Sequence, residues 1–273
     1  MDLDAGMIGL LGPNGAGKST FLSMLCLNCE PTEGSRVYFG LDAAGSAYRK
    51  QIRSLIGYLP QDFCTIPYLT GMEYLMHCAR LRNVSLSAAA LRKRAGELFE
   101  LIDLVDAMHR PSGDYSGGMR RRLGLAQALI HSPRFLMLDE PTAGLDPEER
   151  IRFRNLITDI SSDAIVLLST HIVEDVEATC PRIVIISQGR KLYDGEPGVI
   201  LAAVADRLWE LPAELLQAEA RPLSRQVDGT GKVMVTVVSD SPVPGAVSHE
   251  PTLEEAYAAF LLEQGVALQE EAV

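Results

Sequence analysis

The sequence predicts an α/β protein built on a mainly parallel sheet, and three observations carry that prediction. Five short apolar runs, Met7–Leu11, Ile56–Leu59, Phe135–Leu138, Ile165–Leu168 and Ile183–Ile186, lack the in/out alternation of a half-solvated sheet. That texture belongs to strands covered by helices on both faces. Amphipathic stretches lie between several of the runs. The first run leads directly into a glycine-rich loop and then a helix start, Phe21–Leu25.

Each element can be justified in turn. Arg36–Phe39 reads as a further strand. The segment from Ile56–Leu59 to Phe135–Leu138 is too long for one crossover helix. Within it, Thr70 and Glu73 form a capping box ahead of Tyr74-Leu75-Met76. Leu91, Ala95, Leu98, Ile102 and Val105 then recur at helical spacing. A helical subdomain is therefore expected over 62–130, inserted in the sheet domain. Ser116 is a good N-cap for a helix through Leu123, Ala126 and Ile130, and Asp146 with Pro147 starts another. Beyond about residue 205 the texture changes. Val233, Val235 and Val237 alternate with more polar positions after the turn at Asp228–Gly231, and Pro251-Thr252 opens a helix through Ala256, Ala259 and Phe260. The expected organisation is a large domain over 1–205 and a small α+β region over 206–273.

Composition narrows the function. The net charge of −11 disfavours broad attraction to nucleic acid, and no such partner is expected. No stretch reaches the roughly 20 apolar residues of a membrane span. Five cysteines form no regular framework, which fits a reducing cytosol; Cys26 and Cys29 read as helix thiols.

The chemistry concentrates in a few places. Gly12-Pro13-Asn14-Gly15-Ala16-Gly17-Lys18-Ser19-Thr20 fits the phosphate-cradling loop G-x-x-x-x-G-K-[ST]. Its backbone N–H groups and the following helix N-terminus suit phosphate, Lys18 the β- and γ-phosphates, and Ser19 a Mg²⁺ ion. The fold class thus sharpens to a P-loop NTPase. Asp139 and Glu140 end a buried strand, where paired acids are costly without a cation nearby. Asp139 suits the outer sphere of the Mg²⁺. Strand alternation would turn Glu140 elsewhere, toward a water in line with the γ-phosphate, as general base. Arg120, Arg121 and Arg122 crowd a helix first turn, where the dipole disfavours cations; a solvated helix face is the default reading, and a facing polyanion, of which a partner subunit's nucleotide phosphate is one candidate, would offset the penalty.

Taken in order, the cradle at 12–20, Ser116-Gly117-Gly118, Leu138-Asp139-Glu140-Pro141-Thr142, Ala143–Asp146 and Ser169-Thr170-His171 resemble the nucleotide-binding subunit of an ATP-binding cassette (ABC) transporter. The resemblance covers about residues 6–200 and is nearest to bacterial subunits serving exporters whose membrane part is a separate polypeptide. It implies that two copies meet head to tail with ATP and Mg²⁺ between them, Ser116, Gly117 and Gly118 closing over the γ-phosphate held by the other copy's Lys18. It implies that Gln61 touches the Mg²⁺ and the attacking water, that His171 contacts the γ-phosphate, and that Asp146 reaches across the dimer. The 63–68 region would receive an integral-membrane permease, placing the protein in the cytoplasm, peripheral on the membrane. An ABC-type ATPase in a non-transport complex, on ribosomes or in cofactor assembly, is the alternative. Two departures stand out. Tyr115 and Met119 replace the usual Leu and Gln around the serine-glycine-glycine turn, implying altered packing with activity retained. Members also carry antiparallel strands and an adenine-stacking aromatic before the cradle, which Met1–Gly6 cannot supply. The expectation is a misplaced start or a weaker binder, with the edge of Arg36–Phe39 exposed.

Overall fold

The computed structural model describes residues 1–82, 84–161, 164–216 and 222–266; residues 217–221 and 267–273 of the predicted C-terminal region lie outside them. The chain divides into two compact units, Met1–Leu10 with Gly17–His171, and Leu11–Ala16 with Ile172–Val273.

In the first unit the elements follow in order β1 (Gly6–Leu11, its last residue belonging to the other unit), α1 (Lys18–Leu25), β2 (Val37–Tyr38), β3 (Leu41–Asp42), α2 (Arg49–Leu55) and β4 (Ile56–Leu59). Helices α3 (Gly71–Leu81), α4 (Ala88–Leu101) and α5 (Gly117–Leu129) come next, then β5 (Phe135–Asp139), α6 (Pro147–Ile160) and β6 (Ile165–Thr170). Four strands lie in the order β4-β5-β6-β1. β4 pairs with β5, and β5 with β6, in parallel, with Leu59 opposite Leu138 and Leu138 opposite Leu168. All three leucines are wholly buried. These runs carry no alternation because both faces are covered, as the sequence texture requires.

Helices α3, α4 and α5 follow one another between β4 and β5. Thr70 and Glu73 complete their capping box, and Ser87 and Ser116 cap the next two helices. The predicted second helix is shorter than its periodicity suggests. It ends at Leu101, Asp103 takes a left-handed φ of 53°, and Val105 falls in a 3₁₀ turn with its side chain exposed. Tyr115 is buried, its hydroxyl donating to the Ala107 carbonyl at 2.7 Å. A Cβ at Gly71 would stand 2.3 Å from that hydroxyl, so the glycine makes room for the larger ring. The expected strand at Arg36–Phe39 is reduced to β2, which pairs with β3 as a separate hairpin and leaves Val37 exposed. Cys26 caps the C-terminus of α1 and Cys29 lies beyond it, so neither is within the helix; both thiols are free.

The second unit holds α7 (Val173–Thr179), β7 (Arg182–Ser187), β8 (Arg190–Gly195), α8 (Pro197–Val204), β9 (Leu208–Pro212), β10 (Pro222–Val227), β11 (Val233–Val238), β12 (Val247–Ser248) and α9 (Leu253–Glu263). β7 and β8 form an antiparallel hairpin. A second sheet, in the order β10-β11-β9-β12, packs Leu211, Val235 and Val237 into a small core with Trp209 against it. Glu255, in the first turn of α9, is buried and fully engaged. It accepts from the Thr252 N–H (3.1 Å) and from Ser224 Oγ (2.8 Å), and it pairs with His249 Nε2 (2.9 Å). Burial works to raise its carboxyl, but these hydrogen bonds outweigh burial and hold it below the usual carboxylate range.

Candidate nucleotide site

The loop Gly12–Gly17 has the backbone shape its glycines permit. Gly15 and Gly17 take left-handed φ values of 79° and 101°. A Cβ at Gly12 would lie 2.4 Å from the Ile186 carbonyl oxygen, so only glycine fits there. Ala16 donates its N–H to the Pro13 carbonyl at 3.0 Å. Gly17 is the N-cap of α1 and brings no side-chain cap, and the first turn holds no acid. A helix N-terminus with no acid in its first turn is an arrangement that suits a phosphate. Lys18 is buried, whereas Ser19 and Thr20 are exposed.

Around Lys18 the first unit gathers the acids predicted at the end of β5. Lys18 Nζ lies 3.4 Å from Glu140 Oε1, and His171 Nδ1 lies 2.9 Å from Glu140 Oε2. The Glu140 side chain is nearly inaccessible, while that of His171 is about half exposed. Glu140 does not owe its direction to strand alternation. It sits one residue beyond β5 with φ of 46°, a left-handed conformation costing about 1–2 kcal/mol for a non-glycine residue. Its N–H donates to the Ser169 carbonyl at 2.8 Å, which holds the turn in place.

Asp139, the last residue of the strand, is 2% exposed. Tyr58 donates to its Oδ2 at 3.5 Å, and its Oδ1 is buried without a hydrogen-bond partner. Burial pushes its carboxyl up, against the pull of the Ser169 and Ser19 hydroxyls and of Lys18. An orphaned, desolvated carboxylate oxygen close to a serine hydroxyl fits a hard cation that keeps most of its ligands as water and phosphate. Among the described residues no cluster of three His, Cys, Asp or Glu could hold a metal by itself. The residues present therefore suit Mg²⁺ brought with a phosphate.

The other predicted residues have the following places. Gln61 is exposed, and its backbone carbonyl accepts from Arg121 Nη1 at 2.6 Å. Ser116 Oγ caps α5 by accepting the Met119 N–H (3.1 Å), with Gly117 and Gly118 as the first helical residues. Asp146 caps α6, accepting the Glu149 N–H at 2.9 Å.

The arginine run has a different purpose from the one its position suggests. Arg121 and Arg122 are buried, and their guanidinium groups bond to backbone carbonyls rather than await a polyanion. Arg121 donates from Nε to the Pro141 carbonyl (2.9 Å), from Nη1 to those of Pro60 (3.0 Å) and Gln61, and from Nη2 to that of Glu140. Arg122 donates to the carbonyls of Ile102 and Asp103, and Arg120 to that of Tyr115. These carbonyl contacts offset the unfavourable helix dipole. Arg121 is the functional residue that sequence reasoning missed, since it joins the backbone of the candidate base to the Gln61 loop. Only its place in a basic run at a helix start hinted at something unusual.

Comparison with known proteins bears on this geometry. The sequence profile described as "ABC transporter" matches residues 2–143. The chain is 41% identical over 189 residues to the ABC transporter ATP-binding protein YxlF of Bacillus subtilis, covering 69% of this chain and 61% of that protein's length. It is 36% identical to the daunorubicin resistance ATP-binding protein DrrA2 of Streptomyces coeruleorubidus, covering 96% of this chain and 80% of the relative. In structure it resembles an ATP-binding cassette solved as a dimer in a post-hydrolysis state bound to ADP and Pi. The TM-score there is 0.64 at 25% identity, over 72% of this chain and 88% of the other. A phosphate-cradling loop, a buried lysine on paired acids and a capped serine-glycine-glycine turn, set in the same fold as those relatives, lead to one conclusion: the chain belongs to the ABC transporter family, as an ATP-binding cassette.

Proposed function

We propose that the chain binds and hydrolyses ATP as a head-to-tail dimer and thereby powers a separate integral-membrane permease, in the direction of export. The observation that carries this reading is the convergence of Lys18 and His171 on one buried carboxylate, Glu140, next in the chain to the buried Asp139. Lys18 would hold the β- and γ-phosphates with the N–H groups of the Gly12–Gly17 loop. Ser19, Asp139 and Gln61 would hold Mg²⁺, which when bound supplies charge neutralisation at the phosphates. Glu140 would take a proton from water as the water oxygen bonds to the γ-phosphorus, and the bond to ADP breaks with its electrons leaving on ADP. His171 would steady the γ-phosphate. Ser116, Gly117, Gly118 and Asp146 would act on the nucleotide of the second copy.

Support for a membrane partner comes from the relatives, among them the daunorubicin resistance protein. Among the described residues no helix is long and apolar enough to cross a membrane. Tyr68, 80% exposed in the loop after Gln61, is suited to meet a membrane partner. The test is Glu140→Gln, which should lower phosphate release at least a hundredfold, within the range of general-base contributions, and trap an ATP-bound dimer by light scattering. Unchanged turnover would reject Glu140 as the base. Absence of any ATP-dependent dimer, together with no permease co-purifying from membranes, would reject the coupling scheme.

A further inference from the structure

The first turns of α5 and α6 share one carboxylate that the scheme above leaves unused. Glu149 receives the Asp146 cap on its backbone N–H. Its side chain lies against the serine-glycine-glycine turn: a Cβ at Gly118 would stand 2.5 Å from Glu149 Oε2 and 2.8 Å from its Cδ. Gly118 does not have a left-handed φ, so what a side chain there would have to displace is the Glu149 carboxylate. Glu149 Oε1 lies 3.4 Å from Arg122 Nη2 and 3.7 Å from Arg152 Nη1. Arg122 is itself buried and anchored on the Ile102 and Asp103 carbonyls. Glu149 Oε2 is shut off from solvent with no hydrogen-bond partner.

An acid in the first turn of a helix is ordinary, and the neighbouring Glu148, 86% exposed, needs no other account. Glu149 differs because it turns inward and leaves an oxygen unpaired, which is unfavourable unless nearby positive charge compensates. Arg122 and the N-terminal ends of both helices provide that charge.

We propose that Glu149 is a positioning residue, a strut that fixes the spacing between the Ser116–Gly118 turn and the Asp146 cap. The inference rests on the reading that these two segments act together on the second copy's nucleotide. Glu149 touches neither nucleotide; it sets how the two segments are presented.

The test uses the full chain with Glu149→Gln and Glu149→Ala, each alone and combined with Glu140→Gln. Binding of a fluorescent ATP analogue to the single copy should stay within about twofold of wild type, because Lys18 and its loop are untouched. ATP-dependent dimerisation in the Glu140→Gln background should weaken about tenfold, as expected for loss of one coupled contact. kcat should fall in step while Tm of the Gln variant stays near wild type. Gly118→Ala should lower Tm, and adding Glu149→Ala should restore it by vacating the space, without restoring dimerisation. Wild-type dimerisation and kcat in Glu149→Gln would overturn the inference, as would losses that only track the folded fraction. If Glu149→Ala does not fold, Glu149→Gln decides alone. If the wild-type chain itself neither dimerises nor hydrolyses ATP, the functional reading fails. The strut is then judged by the thermal coupling of positions 118 and 149, whose absence overturns it.

Discussion

Replacing Arg121 with alanine removes the four donor contacts that tie α5 to the backbone at Pro60, Gln61, Glu140 and Pro141. Hydrogen bonds to a charged group contribute about 1.5–3 kcal/mol each. Keeping a guanidinium out of water costs several kcal/mol in return, and burial here pulls the Arg121 pKa down despite Asp139, Asp62 and Glu140 nearby. The net loss should be about 3–5 kcal/mol, the range seen when one member of a buried ionic arrangement is deleted. At about 2–4 °C per kcal/mol for a chain of this size, Tm should drop roughly 6–20 °C. Urea unfolding gives the direct measurement: the midpoint should fall with the slope unchanged. Arg121→Lys should recover about half of the loss, because an ammonium keeps the charge but cannot match the planar fork. ATP turnover should fall in both variants, since the Glu140 turn and the Gln61 loop lose a common anchor. A stability change in Arg121→Ala below about 1 kcal/mol, the worth of one ordinary hydrogen bond, would refute this account.

Two further predictions concern buried titratable groups. His131 bonds the Ile56 carbonyl through Nε2 at 2.8 Å, its Nδ1 is buried without a partner, and burial lowers its pKa. The folded protein thus resists a proton that the unfolded chain accepts below about pH 6.5. Stability from this group is complete above that pH and declines on acidification toward the folded pKa, with a slope approaching about 1.4 kcal/mol per pH unit. His131→Gln should flatten the wild-type decline between pH 6.5 and 5 in urea titrations, and an identical slope in the two proteins would count against it. Asp139→Asn should raise the Tm of the nucleotide-free protein by a few degrees, since it removes a desolvated charge worth about 1 kcal/mol or more. The same change should abolish Mg²⁺-dependent tightening of ATP binding, measured by calorimetry with and without a chelator; retained tightening would exclude Asp139 as a metal ligand.

The strands were legible because five runs are mainly apolar, and the helix starts because Thr70 with Glu73, Ser116 and Asp146 carry caps that act within four residues. What escaped depends on partners far along the chain. β8 is half exposed and polar, so Arg190–Gly195 has no apolar texture and is a strand only because it pairs with β7. β9 and β10 mix charged with apolar residues and are fixed by their register on β11. Asp103 ends α4 early through a left-handed φ that hydrophobic periodicity does not register. In the site, Lys18, Asp139 and Glu140 could be picked out by residue type and spacing, whereas His171 is reached only through the family resemblance. The anchoring by Arg121 could not be picked out, because its acceptors are carbonyls and any residue has one.

The carboxylate of Glu140 already grips Lys18 with one oxygen and His171 with the other. An anion coming to that lysine therefore meets a competitor, and its arrival is a swap of companions. On the proposed reading, the carboxylate it displaces is the group that would accept a proton. Loading and arming would then be two faces of a single displacement.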